Sequence, residues 1–318
     1  MTEMPPRRSA RRFCGVFLAL TILWPIATVF FVRSSLYERL SMERSDMLVD
    51  FYLNFRNQRF DVVVFGDSAG VFGVDPSIIH DATGLTALNL CQTTDILASQ
   101  GTAALDFYLA HNSKPALLAL YLAPPSASID PDAQNEDGIK DRIRHGSLGS
   151  LAGLFGKHPV RVLQTLLAMS LAMWRGLLHS ASIGEFQGDL MRADEKAHLG
   201  YIPNPFAAVL PDGCSERTGL KQNWRRHDFI DRFRKTYSSL GIPIIVVAGP
   251  VADCDRTLED YRRTLGGVFN MEPWSIPHSL IADDGASLHP VSAAAGLISG
   301  RAAMQIQLAL GAAGVPRE

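Results

Sequence analysis

The chain has 318 residues and a formal net charge of -2, with 47% hydrophobic and 19% charged residues. That much apolar material supplies a sizeable core and excludes an intrinsically disordered chain. The near-neutral balance gives no global electrostatic reason to bind nucleic acid, and four scattered cysteines, Cys14, Cys91, Cys214 and Cys254, are too few for a disulfide scaffold or a Cys-rich zinc site.

Residues 13–32 (FCGVFLALTILWPIATVFFV) carry no charge and follow Arg7, Arg8, Arg11 and Arg12. About twenty apolar residues in a helix match the hydrocarbon thickness of a bilayer. Excess arginine on one side predicts that side inside. The expected layout is a cytoplasmic basic tail over residues 1–12, a transmembrane signal anchor over 13–32 and a connector over 33–57. Everything after the anchor is then periplasmic, in a bacterial inner-membrane protein crossing once. A cleaved signal peptide is the rival reading. Its apolar core is usually shorter, and no clear A-x-A-type site follows Val32. One disulfide among Cys91, Cys214 and Cys254 is permitted in that compartment.

Residues 61–65 (DVVVF) form a short apolar run ending at Gly66, as a buried parallel strand does. Residues 86–90 and 116–122 are the next strand candidates, the latter closed by Pro124 and Pro125. Residues 242–248 follow, closed by Gly249 and Pro250, and then 279–282. Helical patterns fall between them. Asp75 and Pro76 read as an N-cap with Pro at the first helical position, opening a helix toward Asp81. Further helices are expected over 95–110, 222–240, 258–265 and 291–310. Strands alternating with helices predict an α/β domain over residues 58–318, with a mostly parallel sheet covered on both faces.

That domain is interrupted at about residues 127–220 by a helical insertion. Its apolar stretch, 160–178, is broken by Arg161 and Arg175. The uncharged run 162–174 is too short to span a membrane, so a buried or interfacial helix is expected there.

The chemistry candidate is Ser68, in the sequence Gly66-Asp67-Ser68-Ala69-Gly70 directly after the first strand. Glycine lets the backbone turn tightly and lets a substrate approach. Near the end of the chain stands Asp284-Gly285-Ala286-Ser287-Leu288-His289. A serine hydroxyl is a poor nucleophile until a base takes its proton, and histidine suits that task near neutral pH. A carboxylate then fixes the imidazole tautomer. The plain alternatives are a turn serine at 68 and a capping histidine at 289. Their placement after the first strand and before the last helix favours the catalytic reading. Asp67 reads as a loop-organising carboxylate, and no paired histidine spacing marks a metal site. Residues 66–70 also fit the G-x-S-x-G elbow of α/β-hydrolases, but in that fold several strands precede the elbow.

On these residues the chain resembles the SGNH/GDSL hydrolase superfamily, over roughly residues 58–125 and 240–310. The resemblance implies a three-layer flavodoxin-like sandwich. The stretch GVDPSIIHDATGLTALNL is similar to membrane-anchored members that accompany envelope or exopolysaccharide synthesis. By that resemblance Ser68 is the nucleophile, His289 the base and Asp284 the orienting acid. The implied activity is a serine esterase or O-acyltransferase acting on an acylated envelope glycan. It needs no cofactor, and its implied partners are the bilayer and polysaccharide machinery.

The sequence departs from the family at two places. The family places its aspartate three residues before the histidine, where this chain has Ala286; Asp284 is five residues before His289. The family's oxyanion donors would be the Ser68 N–H, a second at the position of Thr94, and an asparagine that here falls at Pro124 and Pro125. Asn89 is the substitute candidate for the missing donor, with a structural role bonding the loop backbone as the plainer reading. The competing function is a catalytically inactive binding or scaffold protein of the same fold.

Overall fold

The computed structural model describes residues 16, 23–41, 48, 51–128, 136–204, 227–282 and 289–312. The chain divides into two compact units. One is Met1–Met47 with Gln134–Met191; the other is Leu48–Ala133 with Arg192–Glu318.

The second unit is α/β. Four strands, β1 (Val62–Gly66), β2 (Ala87–Asn89), β3 (Leu117–Leu122) and β4 (Ile244–Ala248), form one sheet in the order β2-β1-β3-β4. Every pairing in it is parallel, with Val63 opposite both Leu88 and Leu118, and Leu120 opposite Val246. Parallel strands need crossovers, and helices supply them. Between the strands lie α1 (Ser68–Gly73), α2 (Pro76–Thr83), α3 (Thr94–Gln100), α4 (Ala103–His111) and α5 (Asp228–Ser238), and after β4 come α6 (Leu258–Leu265) and α7 (Ala295–Ala312).

Side chains alternate across the pleat, so each strand feeds two cores. Val62, Val64, Ala119 and Tyr121 pack with Val71 of α1, Ile79 of α2 and Ile298 of α7. Val63, Phe65, Leu118 and Leu120 pack with Tyr108 of α4, Phe233 of α5 and Leu265 of α6. Both faces of the sheet are therefore covered by helices, and this explains why the strands read as unbroken apolar runs.

Local chemistry sets the element ends. Asp75 accepts the Ser77 N–H and Pro76 opens α2; Gly84 closes it at φ 75°. That is the left-handed backbone glycine adopts without a Cβ penalty. The pattern over 95–110 predicts one helix, and the structure has two. Gly101 at φ 62° separates α3 from α4. The fifth predicted strand, 279–282, is instead a 3-10 turn at His278–Leu280 followed by a single antiparallel bridge, Ile281 to Pro290. Four residues give too little alternation to distinguish a bridge from a strand. A two-stranded parallel ribbon, Val251–Ala252 with Ser275–Ile276, has no sequence signature at all. Within the predicted connector, Phe51 and Phe55 are core residues of the α/β unit.

The first unit is helical. It holds a helix over residues 23–32 and the helices Ser35–Leu40, Glu136–His145, Leu148–Lys157 and Pro159–Ile183. Val29, Val32, Tyr37, Ile143, Leu166 and Met169 lie in its core. The Arg33 guanidinium donates to the Ile143 and Gly146 carbonyls at 2.6 and 2.8 Å, supplying donors that helix ends lack. No helix among the described residues is long and apolar enough to cross a membrane. Nine of the twenty residues of the predicted anchor, 13–15 and 17–22, lie outside the described residues.

Candidate active site

β1 ends against β3. Gly66 is paired with Tyr121, and a Cβ at Gly66 would stand 1.7 Å from the Tyr121 carbonyl oxygen. A Cβ at Gly70 would stand 2.3 Å from Cys91 Sγ. The sequence suggests that glycine here admits a substrate. The structure gives a different reason: these glycines let strand, helix and loop touch.

Asp67 follows and is fully buried. It is the N-cap of α1, and its carboxylate accepts the Ala69 N–H at 3.1 Å and the Ala123 N–H at 3.0 Å. The Ser126 side chain also bonds it. Burial pushes the Asp67 carboxyl above its ordinary range, while Ser126, the two amides and the charge of His289 pull the other way. Asp67 therefore ties the start of α1 to the segment after β3 at the carboxyl end of the sheet. Asp67→Ala removes a cap and strands two buried donors, so a stability loss of about 2–4 kcal/mol is expected. The raised carboxyl sets the sign with pH. Its contribution is fullest below the ordinary carboxylate range and declines as pH rises through the raised value. Urea midpoints taken across acid pH measure both effects. A variant with the wild-type midpoint would remove Asp67 from this role.

Ser68 is the first residue of α1, half-buried, with its N–H among the first-turn amides that lack an intrahelical acceptor. Its Oγ lies 2.6 Å from His289 Nε2. With the ring proton on Nδ1, the hydroxyl donates to Nε2, the arrangement in which imidazole takes the serine proton.

The imidazole is held by backbone and by a ring. The Ala282 N–H donates to the His289 carbonyl at 2.8 Å, and the Val291 N–H to the Leu280 carbonyl at 3.0 Å. The buried Asn204 amide donates to the Pro290 carbonyl at 3.1 Å. Phe72, one helical turn after Ser68, meets the His289 ring edge-on with centroids 4.9 Å apart. One face of α1 thus presents the hydroxyl and a wall for the base.

The remaining sequence candidates separate. Asn89 is buried and spends both amide hydrogens, on the Gly70 and Val74 carbonyls at 2.9 and 2.8 Å, while its oxygen accepts the Cys91 N–H. It ties α1 and its C-cap to β2 and has no side-chain hydrogen left for an oxyanion, which corrects its candidacy as a donor. Thr94 opens α3, so its N–H is also a first-turn amide, and its hydroxyl lies 3.4 Å from Ser126 Oγ. Asp284 lies outside the described residues. Pro124 and Pro125, which lack donors, begin the 3-10 turn Pro124–Ser128 that carries Ser126 to Asp67. Sequence reasoning misses Ser126, Phe72 and Asn204. The Pro-Pro-Ser turn signal was available for the first; the other two are chosen only by long-range contact.

Two further groups are set aside by their chemistry. Cys91 is free and buried, and burial with the Asp67 charge holds its thiol well above the ordinary range, so it is no thiolate nucleophile. Asp253, Cys254 and His278 converge, but Cys254 is disulfide-bonded and its sulfur offers no thiolate to a metal. No family model, no curated protein and no solved structure matches this chain.

Proposed function

We propose that the chain is a membrane-anchored periplasmic serine esterase or O-acyltransferase of the SGNH kind. In this reading the α/β unit is a flavodoxin-like three-layer sandwich. The substrate class is an acyl ester of an envelope or exopolysaccharide glycan. The observation that carries the reading is the 2.6 Å contact between Ser68 Oγ and His289 Nε2 at the carboxyl end of β1, the edge where open parallel sheets bind ligands.

In the proposed reaction His289 Nε2 takes the Ser68 proton as Oγ attacks the acyl carbonyl. The tetrahedral oxyanion is met by the N–H groups of Ser68 and Thr94. The imidazolium then returns its proton to the leaving sugar oxygen, and the acyl group stays on Ser68. Water or a second sugar hydroxyl gives up a proton to His289 as it attacks the acyl-enzyme, and His289 passes that proton to the departing Ser68 oxygen, which restores the serine hydroxyl and the neutral imidazole. Asp284 is the proposed orienting acid. Supporting the compartment are the uncharged run 13–32 behind four arginines and the disulfide-bonded state of Cys254, which suits an oxidising environment.

One observation favours the second reading, a scaffold of the same fold without turnover. The Pro124–Pro125 segment and Asn89 together leave the third oxyanion donor unfilled, a loss that typically costs about 10²–10³ in rate. A fluorophosphonate probe separates the two. The full chain in detergent is expected to take the label on the Ser68 peptide, read by mass spectrometry. A chain that stays unlabelled while folded overturns the enzyme reading.

A further inference from the structure

The Pro159–Ile183 helix combines two apolar faces, where a helix exposed to water is polar on the side away from its core. One face buries Val162, Leu166 and Met169 beside Val29 and Val32 of the 23–32 helix. The Thr28 and Ser170 hydroxyls meet in the same contact at 3.4 Å. The opposite face carries Val160, Leu163, Leu167, Leu171, Trp174 and Leu178, at steps of three or four residues, so they form one stripe. All are exposed, from 40% for Leu163 to 69% for Leu178. Arg161, Gln164 and Arg175 fall at helical spacing along the flank between the two faces.

The 23–32 helix repeats the pattern. Val29 and Val32 point inward, while Leu23, Ile26 and Phe30 are 58%, 49% and 71% exposed. This helix is the end of the uncharged run 13–32. The exposed stripe therefore belongs to a helix packed directly on the segment assigned to the bilayer, and that continuity selects the occupant.

We infer that the exposed stripe of the Pro159–Ile183 helix lies in the bilayer interface, against lipid acyl chains, with Arg161 and Arg175 reaching toward the headgroups. The inference rests on the anchored reading given above. The helix does not span, because its uncharged run, 162–174, is shorter than the roughly 20 residues a bilayer needs. An amphipathic element with an apolar stripe and an arginine flank is the form a helix lying in the membrane plane takes. The consequence is a second membrane attachment, which restrains the helical unit at the surface rather than leaving it tethered by one point.

The test uses the full chain in proteoliposomes whose phospholipids carry brominated acyl chains, which quench only tryptophans that reach them. Trp174 is 55% exposed and Trp24 38%, so W174F and W24F are mild, accessible changes. Each is expected to lower the bromine-quenched share of the emission measurably, because each removes one lipid-facing indole. If W24F lowers it and W174F does not, the inference is overturned and the anchor reading stands. If W174F alone lowers it, the stripe meets lipid and the anchor reading falls. If neither does, both are overturned.

Discussion

Ester turnover by Ser68→Ala and by His289→Ala should each fall by about 10²–10⁴-fold, and the double variant should lose no more than the worse single one. The hydroxyl and the imidazole share one proton across 2.6 Å. Either group without the other lacks the proton transfer that makes serine a nucleophile, so the losses do not add. The measurement is kcat/KM on p-nitrophenyl acetate, with far-UV circular dichroism to show that the fold survives. Both side chains are half-buried at the site rim, so truncation leaves no large core void. A His289→Ala enzyme within a few-fold of wild type would dissolve the pair as a catalytic unit. Losses that multiply in the double variant would mean that the two act independently.

The largest stability effect is expected at Gly66. A methyl group there meets the Tyr121 carbonyl oxygen at 1.7 Å, and that atom is backbone. No rotamer change relieves such a contact; β1 and β3 must part. Their ladder runs from Val62 opposite Leu117 to Gly66 opposite Tyr121, through the centre of the sheet. Gly66→Ala should therefore cost about 4 kcal/mol or more, in the range of severe single substitutions. Thermal melting and soluble yield check this, with Gly84→Ala as comparison. At Gly84 no atom lies within 4 Å and only the left-handed backbone, φ 75°, is strained. Equal melting temperatures for Gly66→Ala and wild type would contradict the close approach of the two strands. This assigns the conspicuous glycines of the 66–70 pentapeptide to packing around the serine rather than to substrate access.

Much of this architecture was legible because parallel strands buried on both faces leave long apolar runs. Residues 62–66, 117–122 and 244–248 are strands within a residue or two of expectation. Capping chemistry was legible too, since Asp75, Pro76 and Gly84 act within a single helix. Asp67 was readable as a loop organiser from its place after a strand. Its partners were not, because Ala123 and Ser126 lie more than 50 residues away. The break at Gly101 is not legible because an isolated glycine inside a helical pattern is tolerated as well as able to end it.

The candidate nucleophile and base were each nameable from a short motif, since the residue types needed to activate a hydroxyl are few. Their pairing was not: Ser68 and His289 are separated by 221 positions. What joins them is the crossover topology, which brings the end of β1 and the Ile281–Pro290 bridge to one edge. Asn89 shows the converse. Its residue type allowed an oxyanion role, and only its two backbone acceptors on another segment decided against it. Local sequence determines what a side chain can do, because bonding capacity and backbone preference are properties of single residues. Tertiary structure decides what it does, because hydrogen bonds are spent on whichever partners folding brings within reach.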